Sequence, residues 1–412
     1  MNRRHSIFAK ILISLMFFIS AKAQWKTYGS STGAPIYTLT VIDSNVFAGG
    51  YGKVYRTTDA GMNWVNVTPG LIYLTSYRCS FVNKTGLFIG TGGSGVFFTT
   101  NNGASWSKIN NSMRNSVVSS FAEVDSNIFA GTEGEGVFKS TDQGISWEKT
   151  NSGLSNYNVL SLVAIGSDLF LGTQGGGVYR SNDYGGNWIQ AGLSGQYINE
   201  LFVNGKNIIA STGTSLCYLS ADNGESWAEV YSEISNSVIL SFLKIGSNLV
   251  AGTLNGGVYL STNNGINWAS INDGYTEGSA DHLVTDGTTL FIGSYIGHLW
   301  RRPISEIITS INSPQSELPN GFCLSQNYPN PFNPTTIIQY TLAYECNVSV
   351  TVYNNLGQII RIFNEGEKEA GSYNLVFNGE SLSSGVYFYK LNTVSLDGSP
   401  KLSAIKKMLL LK

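Results

Sequence analysis

The sequence predicts an all-β chain: a closed ring of seven four-stranded sheets, followed by a small two-sheet sandwich. Three observations predict it. Trp64, Trp106, Trp147, Trp188, Trp227 and Trp268 are spaced by 42, 41, 41, 39 and 41 residues, and a period of that length belongs to solenoid or propeller architectures. Glycine accounts for 47 of the 412 residues and aromatics for 12%, a mixture that suits short strands joined by tight turns. No window repeats apolar residues at i, i+3, i+4 and i+7 free of glycine, so helices are not expected.

The N-terminus reads as a secretion signal covering residues 1–23. Arg3, Arg4 and Lys10 give a positive start, Ile11–Ser20 an apolar run, and Ala21-Lys22-Ala23 a small-x-small cleavage site. The apolar run falls short of the ~20 residues that cross a bilayer, so the mature chain is expected to start at Gln24. No transmembrane segment is expected elsewhere.

Residues 24–303 carry the repeat. In one unit, a β-rich segment Val159–Ile165 leads to a strand Leu169–Gly172, a glycine-rich turn Thr173–Gly177, a strand Val178–Ser181 and a last strand at Trp188. Four short strands per unit make one propeller blade. Six units end at the six tryptophans. A seventh starts at His282–Trp300, with Leu290-Phe291-Ile292-Gly293 as its second strand, but lacks the final Trp frame. Trp25 lies 39 residues before Trp64, one period upstream. Gln24–Tyr28 is therefore expected to pair beside His298–Arg301 and close a seven-bladed β-propeller, removing the exposed edges of an open array.

Ahead of each tryptophan stands one frame, as in Ser181-Asn182-Asp183-Tyr184-Gly185-Gly186-Asn187-Trp188. Its acidic place holds Asp59, Asn101, Asp142, Asp183, Asp222 and Asn263. Its glycine place holds Gly61, Gly103, Gly144, Gly185, Gly224 and Gly265. The frame resembles the Asp box, or bacterial neuraminidase repeat, of sialidases, some xyloglucan-cleaving enzymes, sortilin-like receptors and photosystem assembly factors. Its role is structural: Asp or Asn accepts backbone N–H groups of its own turn, and glycine admits positive φ. One oxygen per turn makes no convergent shell, so no metal site is expected.

Composition shifts after Arg302. Six of nine prolines lie between Pro303 and Pro334, which reads as a linker over 304–325 and the start of a new domain over 326–412. Val348, Val350 and Val352 alternate with polar residues, as do Tyr373, Leu375 and Phe377, and Val386–Leu391 forms a third run. The expected fold is a small, immunoglobulin-like β-sandwich. Four pieces resemble the type A C-terminal sorting domain of the type IX secretion system of Bacteroidetes: Tyr328–Thr336, Val352–Gln358, Leu382–Phe388 and Lys406-Lys407-Met408. The resemblance implies export, recognition by the outer-membrane secretion machinery, and release or attachment at the outer-membrane surface. Cys323 and Cys346 share this segment, so one disulfide is open to them.

Chemistry is sparse. A net charge of −2 leaves no footprint for nucleic acid. The three histidines are His5, His282 and His298, no Gly-x-Ser-x-Gly elbow occurs, and the glycine runs recur at the repeat period as blade turns. No cofactor is expected. Resemblance to sialidases implies three arginines clamping a carboxylate; Arg56 and Arg180 share one architectural place in their blades, leaving Arg78, Arg114, Arg301 and Arg302. Hydrolysis of glycosides needs two carboxylates ~5–10 Å apart, and Glu133, Glu135, Glu200, Glu233, Asp273 and Asp281 fall in the connecting loops. Tyr51, Tyr73, Tyr157, Tyr197, Tyr275 and Tyr295 lie there too, among Ser, Asn and Gly. Tyrosine stacks on sugars or peptides at small entropy cost. The expectation is a secreted or cell-surface, non-catalytic propeller binding a glycan or protein ligand through Tyr157, Tyr197, Tyr275, Tyr295, Glu133 and Glu135. The alternatives are a sialidase-like or xyloglucanase-like hydrolase, with catalytic residues unassigned, and an assembly factor, which would need a basic patch.

Overall fold

The computed structural model describes residues 24–27, 34–68, 70–71, 75–109, 112–113, 116–230, 234, 237–265, 268–307, 323–342, 344–369, 371–395 and 403–412. The leader expected at 1–23 lies outside these, as do His5, Tyr73, Arg114 and Glu233. Two compact units divide between residues 312 and 313.

Among the described residues, the first unit holds seven four-stranded antiparallel sheets. Their inner strands are Ile36–Ile42, Tyr77–Asn83, Val118–Val124, Val159–Ile165, Ile198–Asn204, Ile239–Ile245 and His282–Thr285. Each neighbours the next, and the last neighbours the first, so the sheets close into a propeller ring. The second strand of each sheet, such as Leu87-Phe88-Ile89-Gly90-Thr91, is almost wholly buried. Its apolar residues face the sheets on both sides, which explains why these runs do not alternate. The glycine opposite the inner strand is needed for close approach: a Cβ on Gly172 would stand 2.5 Å from Ile198 of the next sheet.

Ring closure uses the two ends of the unit. Lys26–Thr27 pairs antiparallel with Leu299–Pro303, in the register Lys26↔Arg301 and Thr27↔Trp300. Trp25 is 3% exposed, and its indole N–H donates to the Ile271 carbonyl of the sheet before it at 2.6 Å. Trp106, Trp147, Trp188 and Trp227 make the same bond to the preceding sheet, at 2.9, 3.0, 2.8 and 2.7 Å. Trp25 thus fills the tryptophan place of the seventh sheet.

The turns before the tryptophans are joints between sheets. In each, a Ser or Thr hydroxyl donates to the Asp or Asn side chain, from 2.7 Å at Thr57–Asp59 to 2.9 Å at Ser261–Asn263. The same hydroxyl accepts the N–H of the turn glycine. Asp59, Asn101, Asp142, Asp183 and Asp222 each accept, through one side-chain oxygen, the N–H four residues on, at 2.9 Å. The bonds from Asn63, first its backbone N–H and then its side chain, hold the Asp59 carboxyl down at about 2. The turn glycine then packs on the preceding sheet: a Cβ on Gly224 would meet Phe170 at 2.7 Å, and one on Gly185 would meet Phe129 at 3.0 Å.

The second unit is a two-sheet sandwich. Cys323–Leu324, Thr335–Leu342 and Gly371–Asn378 form one sheet; Ile359–Lys368, Cys346–Asn354, Gly385–Ser395 and Ser403–Leu410 form the other. Val348, Val350, Val352, Leu375, Phe377 and Met408 point into the shared core. Asn330 accepts from the Leu409 N–H at 2.7 Å, and the Tyr389 hydroxyl, which accepts from Asn327 N–H at 2.7 Å, donates to the Ser325 carbonyl at 2.7 Å. The first of these bonds ties the Tyr328–Thr336 segment to Ser403–Leu410, and the other two hold the residues just before it to Gly385–Ser395. The disulfide considered for Cys323 and Cys346 is not formed: Cys323 is exposed on one sheet and Cys346 is buried in the other, both as thiols.

Candidate functional site

A cavity of about 300 Å³ opens on the propeller axis, at the N-terminal ends of the inner strands. Six of the seven inner strands carry a β-bulge at one equivalent place, after Ile36, Tyr77, Val118, Val159, Ile198 and Ile239. A bulge sets two residues against one and re-aims a side chain. Here it places two successive residues of each of these six strands in the cavity lining. The bulged residues Tyr37, Arg78, Ser119, Leu160, Asn199 and Leu240 line the cavity. Immediately after them, Thr38, Cys79, Ser120, Ser161, Glu200 and Ser241 form a second tier, completed by His282 of the seventh sheet.

The second tier is polar and mostly uncharged. Ser161 accepts the Leu201 N–H of the next sheet at 2.9 Å. Ser120 Oγ, Ser241 Oγ and Glu200 Oε2 are shut from solvent without a hydrogen-bond partner. Burial pushes the Glu200 carboxyl up to about 8, against the opposing effect of the Phe242 N–H. Burial likewise pushes His282 down to about 4, partly offset by Asp281, and the Cys79 thiol up to about 12. At the mouth, Arg78 pairs with Glu133 at 2.7 Å.

The candidate tyrosines separate into two groups. Tyr157, Tyr197 and Tyr295 are exposed at 47%, 38% and 59%, and Tyr51 at 50%. Tyr295 packs edge-on against Tyr37, ring centroids 6.0 Å apart. Tyr275 departs from expectation: it is 8% exposed, wedged between Trp25 and Trp300, with its hydroxyl bonded to the Ser279 carbonyl. The closing strand reserves that position for packing. Glu133 and Glu135 both have cationic partners, Glu135 lying 2.9 Å from Lys149 and accepting from Ser116 at 2.6 Å. The Ser116 hydroxyl, then Lys149, lower the Glu135 carboxyl.

The arginines of the sialidase reading do not converge. Arg56 and Arg301 occupy one place in their sheets and donate to the carbonyls of Asn102 and Ala60, in the turns of the following sheets. Arg180 pairs with Asp168 at 2.6 Å, and Arg302 is buried and donates to the Ile271 carbonyl. Only Arg78, among the described arginines, reaches the axial cavity. Likewise Glu200 is the one carboxylate among the described residues lining it.

Sequence reasoning did not single out Tyr37, Asn199 or the serine tier. Their signal was the dipeptide after the first apolar residue of each inner strand, which becomes informative once the bulge is known.

Comparisons agree with this architecture. Residues 326–405 match the model of a secretion system C-terminal sorting domain, and residues 73–190 that of the DUF6242 beta propeller domain. No curated protein matches the chain in sequence. Among solved structures, YCF48 from Cyanidioschyzon merolae is similar at TM-score 0.56 and 14% identity, over 69% of this chain and 99% of that one. PorZ of Porphyromonas gingivalis, an essential bacterial surface component of the type IX secretion system, is similar at 0.52 and 14%, over 93% and 60%. A GH74 xyloglucanase from Xanthomonas campestris is similar at 0.54 and 12%, over 77% and 59%. The chain thus spans about three fifths of the latter two proteins. At these identities the likeness is one of fold. The chain is a β-propeller followed by a secretion-system sorting domain, which indicates export to the cell surface or beyond.

Proposed function

We propose that this protein is an exported, non-catalytic propeller that captures an extracellular glycan or protein ligand on the face around its axial cavity. On this reading, residues 1–23 are the leader, the seven sheets are blades joined by Asp boxes of the neuraminidase-repeat kind, and residues 326–412 hand the chain to the type IX outer-membrane machinery. The observation that carries it is the bulge-built cavity, with exposed Tyr295 packed on the lining Tyr37 and exposed Tyr51, Tyr157 and Tyr197 in connections beside the N-terminal ends of inner strands. Aromatic rims with polar centres suit recognition. Hydrolysis would instead be favoured by two carboxylates facing each other across the axis. Glu133 and Glu135 sit in ion pairs at one turn, and neither joins Glu200 in the cavity lining.

A glycan array and a pull-down from the native extracellular milieu, both with the chain from Gln24, test the capture reading. The Tyr197→Ala, Tyr295→Ala double variant is expected to bind the recovered ligand at least about tenfold more weakly, a loss of ~1.4 kcal/mol, with an unchanged melting temperature. Binding unaffected by the double variant would remove this face from the account. Blank screens would favour a scaffold.

A further inference from the structure

We propose that the axial cavity is a socket for one organic cation, the ammonium or guanidinium of a Lys or Arg side chain on a protein ligand, with Glu200 as its counter-ion. The proposal rests on the capture reading and names the group that would be captured.

Position singles out Glu200. The six equivalent places hold Thr38, Cys79, Ser120, Ser161, Ser241 and His282, so a single acid interrupts a ring of neutral groups. Its Oε2, with Ser120 Oγ and Ser241 Oγ, has no partner, and Ser241 is itself only 7% exposed. Glu200 and Ser241 lie on adjoining sheets and Ser120 two sheets away, and all three residues line the same cavity. A ligand bearing several N–H donors is the chemistry that satisfies acceptors of this kind.

The surrounding charges point the same way. The inner strands on either side of Glu200 contribute Leu160, Ser161, Leu240, Ser241 and Phe242, none of which titrates. From the other sheets come Tyr37, Arg78, Cys79 and His282. Arg78 is held by Glu133, and burial keeps His282 and Cys79 neutral near pH 7. No lining cation is therefore placed to neutralise Glu200, and an anionic ligand would meet a carboxyl without compensation. Burial keeps that carboxyl protonated up to about 8. A cation replaces the proton: Glu200–COOH and R–NH3+ give the Glu200 carboxylate paired with R–NH3+, plus one released H+. By linkage, raising the pH through that range tightens the cation.

Size favours a single side chain. At about 300 Å³ the cavity stands at the low end of the ~300–1,000 Å³ typical of ligand pockets. Leu39, Leu160, Leu240 and Leu283 in its lining offer apolar surface to the methylenes.

Titration calorimetry of the chain from Gln24 tests this with three short peptides that differ at one residue: Arg, Lys, or the neutral isostere citrulline. In buffers of different ionisation enthalpy at pH 7, an Arg or Lys peptide is expected to bind with release of about one proton per site. Citrulline is expected to bind at least about tenfold more weakly. Glu200→Gln, melting at pH 7 no lower than the parent, should lose the same factor and the proton release. Equal binding of citrulline and arginine peptides, binding without proton release, or no binding to the unmodified protein would each overturn the socket. The peptide comparison stands on the unmodified protein alone should Glu200→Gln fail to fold. A ligand recovered by the capture screen that binds the protein and Glu200→Gln alike would leave the capture reading standing and this inference refuted.

Discussion

Glu200 shows how one residue can set a property of the whole chain. Its carboxyl, pushed up to about 8 by burial, starts from an ordinary value of 4.5. Between those two values the unfolded chain has lost a proton that the folded chain keeps. The group's contribution to stability is therefore fully present below pH 4.5 and is lost as the pH rises through 8. Glu200→Gln removes the titration. The expected outcome is a variant whose melting temperature matches the parent at pH 4 to 5 and exceeds it at pH 9. Melting curves across that range check it, and a parallel pH dependence in both proteins would place the carboxyl in a solvated environment instead. His282 works in the opposite sense: pushed down to about 4 from 6.5, it costs stability as the pH falls through that window.

At the scale of elements, the recurring turn is a joint as much as a cap. Its glycine is at positive φ and touches the second strand of the sheet before it, as Gly224 (φ 82°) touches Phe170. Gly205, in another turn, also has positive φ (66°) but faces open space. Gly205→Ala should therefore cost only the backbone strain, about 1–2 kcal/mol. Gly224→Ala should cost that strain plus the displacement of Phe170, about 3 kcal/mol or more. Urea denaturation midpoints compare the two, and equal losses would show that the turn does not bear on its neighbour. The turns were legible in the sequence because every bond within them spans four residues or fewer. Strands were legible for the same reason: Val159–Ile165 is observed as expected, and the next strand is Asp168–Thr173 for an expected Leu169–Gly172. The site was less legible. Tyr157 and Tyr275 both precede an inner strand by a few residues, yet Tyr275 is claimed by Trp25, a partner 250 positions away. Glu200 fell among the carboxylates worth testing, but its isolation appears only when all seven inner strands are set around one axis. Arg78 and Glu133 pair across neighbouring sheets, which no local pattern announces.

For the whole molecule, the ring depends on a strand of two residues at one end of the propeller, Lys26–Thr27, anchored by Trp25. The proposed leader cleavage after Ala23 leaves that strand at the start of the mature chain, so maturation and ring closure involve the same few residues. In the closed ring Lys26–Thr27 covers the edge of Leu299–Pro303, and opening the ring exposes that edge. The axial cavity depends on closure too, because Tyr37 and His282 belong to the sheets on either side of the join. The most direct measurement is therefore the melting temperature of the chain starting at Gln24 against one starting at residue 28. Losing a buried tryptophan costs ~3–5 kcal/mol, and at ~2–4 °C per kcal/mol the shortened chain should melt roughly 10 °C lower. An unchanged melting temperature would contradict closure of the ring by the N-terminal strand, and with it the geometry from which the axial site is read.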